Sequence, residues 1–285
     1  MALYAIIQSI VWGIVRHLAE DLSTPTLYFF RNFIGFLTIV PLISKKGLTV
    51  FKTEHFKLHL LRALAAFLGG LSIFYAVANA PLATVVAITF AAPIFASLFS
   101  IYLFGEAMNK TKGISLVTSF IGVLFILRPN LDIETDGLVA AIVASIATAI
   151  AFLTVKKLAH VENAASVIAY PFLLILPLSM LLALLDWTQP KMADIPLLLT
   201  MVIGISAAQY CMVKAFSLAD ASAVLPFDFL RLLVATFVGS FFFDDLVDTW
   251  IVVGASLILT SSLYIAKKGK QLPSRNNRKQ DEVCE

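Results

Sequence analysis

The sequence predicts an all-α integral membrane protein with ten transmembrane helices, arranged as two inverted five-helix repeats. Three observations predict it: the apolar content, the spacing of the apolar runs, and a self-similarity at about 140 residues. Of 285 residues, 60% are hydrophobic and 14% charged, whereas a soluble domain is nearer 45–50% apolar and about 25% charged. No soluble core could hide so much apolar surface, so the bilayer must serve as solvent. The two cysteines, Cys211 in an apolar run and Cys284 in the tail, give no disulfide framework.

Apolar runs bounded by charge or turn residues fall at about 2–17, 25–43, 58–79, 82–104, 112–128, 137–157, 164–185, 195–217, 221–243 and 250–266. Backbone groups in lipid must be satisfied internally, so runs of this length are helices. The first is apolar from Ala2 and has neither a basic leading segment nor a small-residue cleavage site; it reads as a retained first span and not a signal peptide. Its length is below the roughly 20 residues that cross a hydrocarbon core, which makes it the shortest span. Arg31 lies inside the second run, and Gly69 and Gly70 in the third permit close helix packing. "NAPL" separates the third and fourth runs and "LADA" the eighth and ninth, so both pairs read as tight helical hairpins. Pro93 and Pro226 kink the fourth and ninth.

The basic residues set the orientation. Lys45, Lys46, Lys52, Lys57, Lys110, Lys112, Lys156, Lys157 and six tail residues lie on one side, against Arg16, Arg128 and Lys191 on the other. Lys/Arg excess marks the cytoplasmic side, so both termini are expected in the cytoplasm. The basic tail, residues 268–285, reads as a disordered segment that fixes topology.

Comparing the chain with itself reveals the repeat. "VANAPLATVVAITFAAPIFASLFSIYLFGE" (77–106) aligns with "FSLADASAVLPFDFLRLLVATFVGSFFFDD" (216–245), placing Glu106 over Asp245, and "IVRHLA" (14–19) aligns with "TVKKLA" (154–159). The units are residues 1–130 and 131–267, with five spans each. An odd number of spans makes the second copy cross in the opposite sense, and inverted repeats of this kind bind solute near the midplane at the repeat interface.

"RALAAFLGGLSIFYAVANAPLATVVAITFAAPIFASLFSIYLFGE" (62–106), "GVLFILRP" (122–129) and "KAFSLADASAVLPFDFLRLLVATFVGSFFFDD" (214–245) together resemble the drug/metabolite transporter superfamily, specifically its EamA-type members. The resemblance implies ten helices, cytoplasmic termini and a central cavity opening alternately to either side. It also implies a location in the inner membrane. The motif order is most similar to S-adenosylmethionine uptake carriers of intracellular bacteria; riboflavin importers and amino-acid exporters share the scaffold. The glutamate usual at the end of the ninth helix is Asp245 here.

Asp228 and Arg231, in "VLPFDFLRLLVATF" (224–237), are the strongest site candidates. Each charge in a span costs about 2.5–3.5 kcal/mol on insertion scales, and such residues face the bundle interior. Their i,i+3 spacing puts them on one helix face. The corresponding first-repeat positions are Thr89 and Ala92, and a purely architectural pair would recur in both copies. The competing reading is a neutralised pair that locks helix nine to a neighbour. Arg31 fits either a substrate carboxylate or a side chain snorkelling to the outer interface. Trp12, Tyr75, Thr89, Phe90, Gln209, Tyr210 and Phe227 supply aromatic and polar groups for a flat or amphipathic solute.

No enzyme constellation is present. "EHFKLH" (54–59) puts His55 and His59 four apart but in a basic loop that disfavours a cation, and "GISAA" (204–208) lacks the second glycine of a nucleophile elbow. A secondary carrier for a small organic metabolite, with S-adenosylmethionine as the example the resemblance suggests, is therefore the expectation. No catalysis, cofactor, metal or nucleic-acid partner is expected. The alternative of another class is a non-transporting membrane scaffold or subunit, which would place its polar groups on outward surfaces and not in one central cluster.

Overall fold

The computed structural model describes residues 2–46, 53–92, 94–96, 98–99, 110–127, 135–158, 161–162, 164–218, 230–245 and 249–269. Among the described residues the ordered elements are all helical: α1 (Ala2–Leu18), α2 (Thr24–Lys46), α3 (Phe56–Asn79), α4 (Leu82–Thr89), α5 (Lys110–Leu127), α6 (Thr135–Leu158), α7 (Ala164–Leu185), α8 (Ile195–Leu218), α9 (Leu230–Phe242) and α10 (Thr249–Gly269). Three stretches are long and apolar enough to cross a membrane, Phe56–Asn79, Asp136–Val155 and Ile195–Met212. Others, such as the 17-residue α1, are apolar but shorter, α1 reaching about 25 Å at 1.5 Å per residue.

Many large apolar side chains point outward while small residues line helix contacts, the arrangement of helices packed within lipid. On α3, Leu60, Leu61, Leu64 and Leu68 are exposed while Ala63, Ala65 and Gly69 are buried. Both glycines of that helix act as the sequence suggests. A methyl group on Gly69 would lie 3.2 Å from the Cβ of Ala147 on α6, and one on Gly70 would lie 2.5 Å from the Tyr28 hydroxyl on α2.

The most enclosed element is α4, in which every residue from Leu82 to Ile88 is buried. A helix apolar on all sides belongs at the centre of a bundle, and α3, α5, α6, α9 and α10 all pack against α4. Its regular winding stops at Thr89. Proline, the residue at position 93 in the sequence, has no N–H to continue an i→i−4 ladder; Pro93 and Pro226 themselves lie outside the described residues. The chain tightens instead, with Phe90 N–H on Ala87 O at 3.2 Å and Ala91 N–H on Ile88 O at 3.0 Å. The Ile88 carbonyl, which takes one of these tightened bonds, also accepts from the Ser145 hydroxyl of α6 at 3.0 Å.

Among the described residues the most extensive helix contacts recur when helices five apart are exchanged, although smaller ones such as α2 on α3 and α1 on α3 do not. α1 packs on α8 as α6 does on α3, α1 on α9 as α6 on α4, and α2 on α8 as α7 on α3. The pairs α2–α7, α4–α9 and α5–α10 map onto themselves.

Candidate functional site

Where α4 is interrupted, α1 and α9 converge on it. Arg231 lies in the first turn of α9, and the Ser9 hydroxyl of α1 donates to its main-chain carbonyl at 2.9 Å. The Arg231 guanidinium reaches across both neighbours. One terminal nitrogen donates to the Tyr4 hydroxyl of α1 at 3.3 Å, and the other to the Thr89 hydroxyl of α4 at 3.1 Å. Thr89 accepts that bond while donating its own proton to Val86 O at 2.7 Å, so the interrupted turn aims its oxygen at the arginine. The guanidinium carbon stands 4.8 Å from the centre of the Phe90 ring, a cation–π contact worth up to about 2 kcal/mol when desolvated.

Arginine stays protonated at any physiological pH. The cluster therefore brings a guanidinium, two hydroxyls and an aromatic face together where α1, α4 and α9 meet. That set can bind and orient a solute. Among the described residues no three His, Cys, Asp or Glu side chains group as a metal site.

Three of the residues predicted from sequence, Arg231, Thr89 and Phe90, meet here. Asp228, Phe227 and the Gln209 side chain lie outside the described residues, as does the tail 270–285. Trp12, on α1, packs edge-on to Phe74 with ring centres 5.9 Å apart. Arg31 donates to the Asn32 side chain at 3.1 Å and lies 5.7 Å from the Tyr28 ring, away from the cluster. Tyr75 and Tyr210 are 39% and 70% exposed, on outward helix faces. Of the two histidines, His59 is fully buried and stacks on Tyr170 at 4.2 Å, its Nε2 4.0 Å from a Glu162 oxygen. Tyr4 and Ser9 were not foreseen, because the self-comparison begins beyond them and their types are common in apolar helices.

A second polar junction joins the same three helices at their other end. Arg16 of α1 pairs with Asp245, just past α9, at 2.6 Å. The same carboxylate oxygen accepts the Leu82 N–H at 3.0 Å, supplying the cap that Pro81, which makes no side-chain cap bond, does not. Arg16 also lies 4.5 Å from the Phe243 ring centre. Asp244 turns the chain with φ 52°, a left-handed conformation that aspartate tolerates, and the Asp245 N–H folds back onto Gly239 O at 3.1 Å. A side chain at 239 would collide with the Asp245 carboxylate, 2.6 Å from an added Cβ.

A lipid-compatible helical bundle with an enclosed cationic cluster and no catalytic grouping among its described residues has the form of a membrane transporter. The chain belongs to the EamA-like transporter family, whose model matches residues 1–128 and again 135–267. It is 26% identical over 265 residues to an S-adenosylmethionine uptake transporter of Rickettsia prowazekii, covering 93% of this chain and 90% of that one. It is 29% identical over 275 residues to a riboflavin transporter of Vibrio cholerae, covering 93% and 92%. A solved crystal structure shares the fold at a TM-score of 0.61 and 15% identity, covering 96% of this chain and 98% of the other.

Proposed function

We propose that the protein is a ten-span inner-membrane carrier that moves a small organic metabolite by alternating access. The Arg231 cluster forms part of the solute site, and both termini face the cytoplasm. The observation that carries this reading is the convergence of Arg231, Tyr4, Thr89 and Phe90 from α1, α4 and α9. Groups on a scaffold's outer surface would not be gathered this way. Two further observations support the inverted-repeat layout: the recurrence of the most extensive helix contacts when helices five apart are exchanged, and the double match of the family model, once in each half. Residues 1–130 and 131–267 are then the two repeats.

S-adenosylmethionine is the first substrate to test, because its carboxylate complements Arg231 and its adenine complements Phe90. Riboflavin is the second, supported by the flavin transporter among the relatives and by the same aromatic face. Uptake by proteoliposomes of each radiolabelled compound, with competition by the other, tests the assignment. Saturable S-adenosylmethionine uptake is expected, and its absence with saturable riboflavin uptake would reverse the order. Asp228→Arg with Arg231→Asp keeps the net charge of the pair while exchanging what it offers a ligand; uptake at least about tenfold lower is expected, equivalent to about 1.4 kcal/mol. Full activity in that swap would make the pair a helix clamp.

A further inference from the structure

The junction of Arg16, Asp245 and the α4 N-terminus holds together, at one end, the three helices that hold Arg231. Arg16 shares α1 with Tyr4 and Ser9, Leu82 begins the helix that ends at Thr89, and Asp245 follows directly on α9. A route to the Arg231 cluster that runs between these helices from that end must part them. The joint is concentrated on one atom, Asp245 Oδ2, which takes both the guanidinium and the Leu82 N–H.

From this geometry we infer that the junction is the releasable outer gate of the transport pathway, closed in this structure and opened when Asp245 leaves Arg16 and Leu82. The inference rests on the carrier reading above. The side chains are 18% and 10% exposed, so the pair lies at the edge of the packed bundle; a pair sealed in its core could not separate at comparable cost. Gly239 keeps room for the carboxylate in the closed position. The rest of that end is held independently. Ser23 donates to Asp186 O at 2.6 Å and the Thr188 N–H to the Thr26 hydroxyl at 3.2 Å, joining α2 to α7. Opening at Asp245 therefore leaves α2 and α7 in place.

Thiol accessibility tests the gate without reference to any substrate. In a background with Cys211 and Cys284 changed to serine, V86C places a probe on α4 between Leu82 and Thr89, at a residue 1% exposed. A183C places a second on α7 at a residue 0% exposed, near the α2–α7 connection. A charged, membrane-impermeant maleimide is applied to right-side-out and inverted vesicles separately. D245N and R16Q, which break the pair from opposite partners, are each expected to raise V86C labelling from one face only, by at least about fivefold as the closed population falls, with A183C unlabelled. Unchanged V86C labelling in both variants would overturn the gate. A rise in A183C in step with V86C would also overturn it, by showing that the junction holds the fold as a whole. Neither result depends on uptake, so the substrate assignment stands or falls separately.

Discussion

Arg16 and Arg231 each stand where α1, α4 and α9 meet, one at the Asp245 end and one at the interrupted turn of α4, and their surroundings differ in kind. Arg16 faces a carboxylate that also caps a helix, so its charge is neutralised by the protein and its contacts fix a geometry. From α1 and α4, Arg231 receives hydroxyls and an aromatic face, which orient the guanidinium. The difference separates two uses of a costly residue. An arginine bonded to a helix-capping carboxylate fixes a conformation; one oriented by hydroxyls and a ring is, in the carrier reading proposed above, aimed at a ligand.

The largest test of this contrast is removal of Arg231. R231A is expected to lower uptake at least about 100-fold, about 2.8 kcal/mol, and R231K to fall well below the parent because the planar fork is lost. Proteoliposome uptake of the confirmed substrate reads both, and parental rates in R231K would mean that only a diffuse charge is required. Next comes stability. D245N is expected to destabilise the detergent-solubilised protein by about 2–3 kcal/mol through the lost pair and cap, and the R16Q/D245N double variant by little more than the worse single change. Additive losses would show that the two side chains do not act as a unit. A smaller effect is expected at Tyr4, where Y4F removes one long hydrogen bond from the charged Arg231 guanidinium, at the low end of the about 1.5–3 kcal/mol such bonds contribute. A rise of about 3–10-fold in the substrate concentration for half-maximal uptake is the outcome to look for, with the melting temperature nearly unchanged.

The smallest effect is expected at Lys191 and Asp21, an exposed pair at 2.7 Å in two loops. The hydrogen bond and charge of Lys191 hold the Asp21 carboxyl below its usual range, and Asp21 raises Lys191 in turn. A depressed carboxyl contributes stability above its unfolded value of about 3.9, lost only as pH falls through the lower folded value; a raised lysine loses its contribution only above about 10.4. The pair is thus intact throughout pH 5–9, and D21N should give an uptake–pH profile that overlays the parent's. A divergence within that range would assign these loops a role equal to the Arg16 junction.

Much of this contrast could be read in the sequence. Among the described residues the apolar runs fall largely on helices, because backbone satisfaction in lipid favours them, though α4 breaks off at Thr89 within its run. Arg231 with Thr89 was found through the repeat, since aligning the halves singles out a charge in one copy only. The role of Arg16 was not legible: a basic residue at a helix end carries topological information on its own, and its partner lies 229 positions away. Aromatic identity was also a poor guide. On α1 the polar Gln8 and Ser9 are themselves buried, so polarity did not mark the outward face, and Tyr210 is largely exposed. The alignment of Glu106 with Asp245 and of Arg16 with Lys156 was the available signal, since acid and base recur together in both halves.

The 229-residue separation of Arg16 and Asp245 also bears on biogenesis. At synthesis rates of about 5–20 residues per second, the first helix waits on the order of ten to fifty seconds for its carboxylate to leave the ribosome. Throughout that interval α1 has its arginine without the counter-ion that completes the Asp245 corner, and the Leu82 amide is uncapped by Asp245. Assembly of this corner is therefore a late, post-insertion event. A nascent chain stalled before residue 245 would hold its early helices in the bilayer with that corner undocked, available to quality-control proteases until the last hairpin arrives.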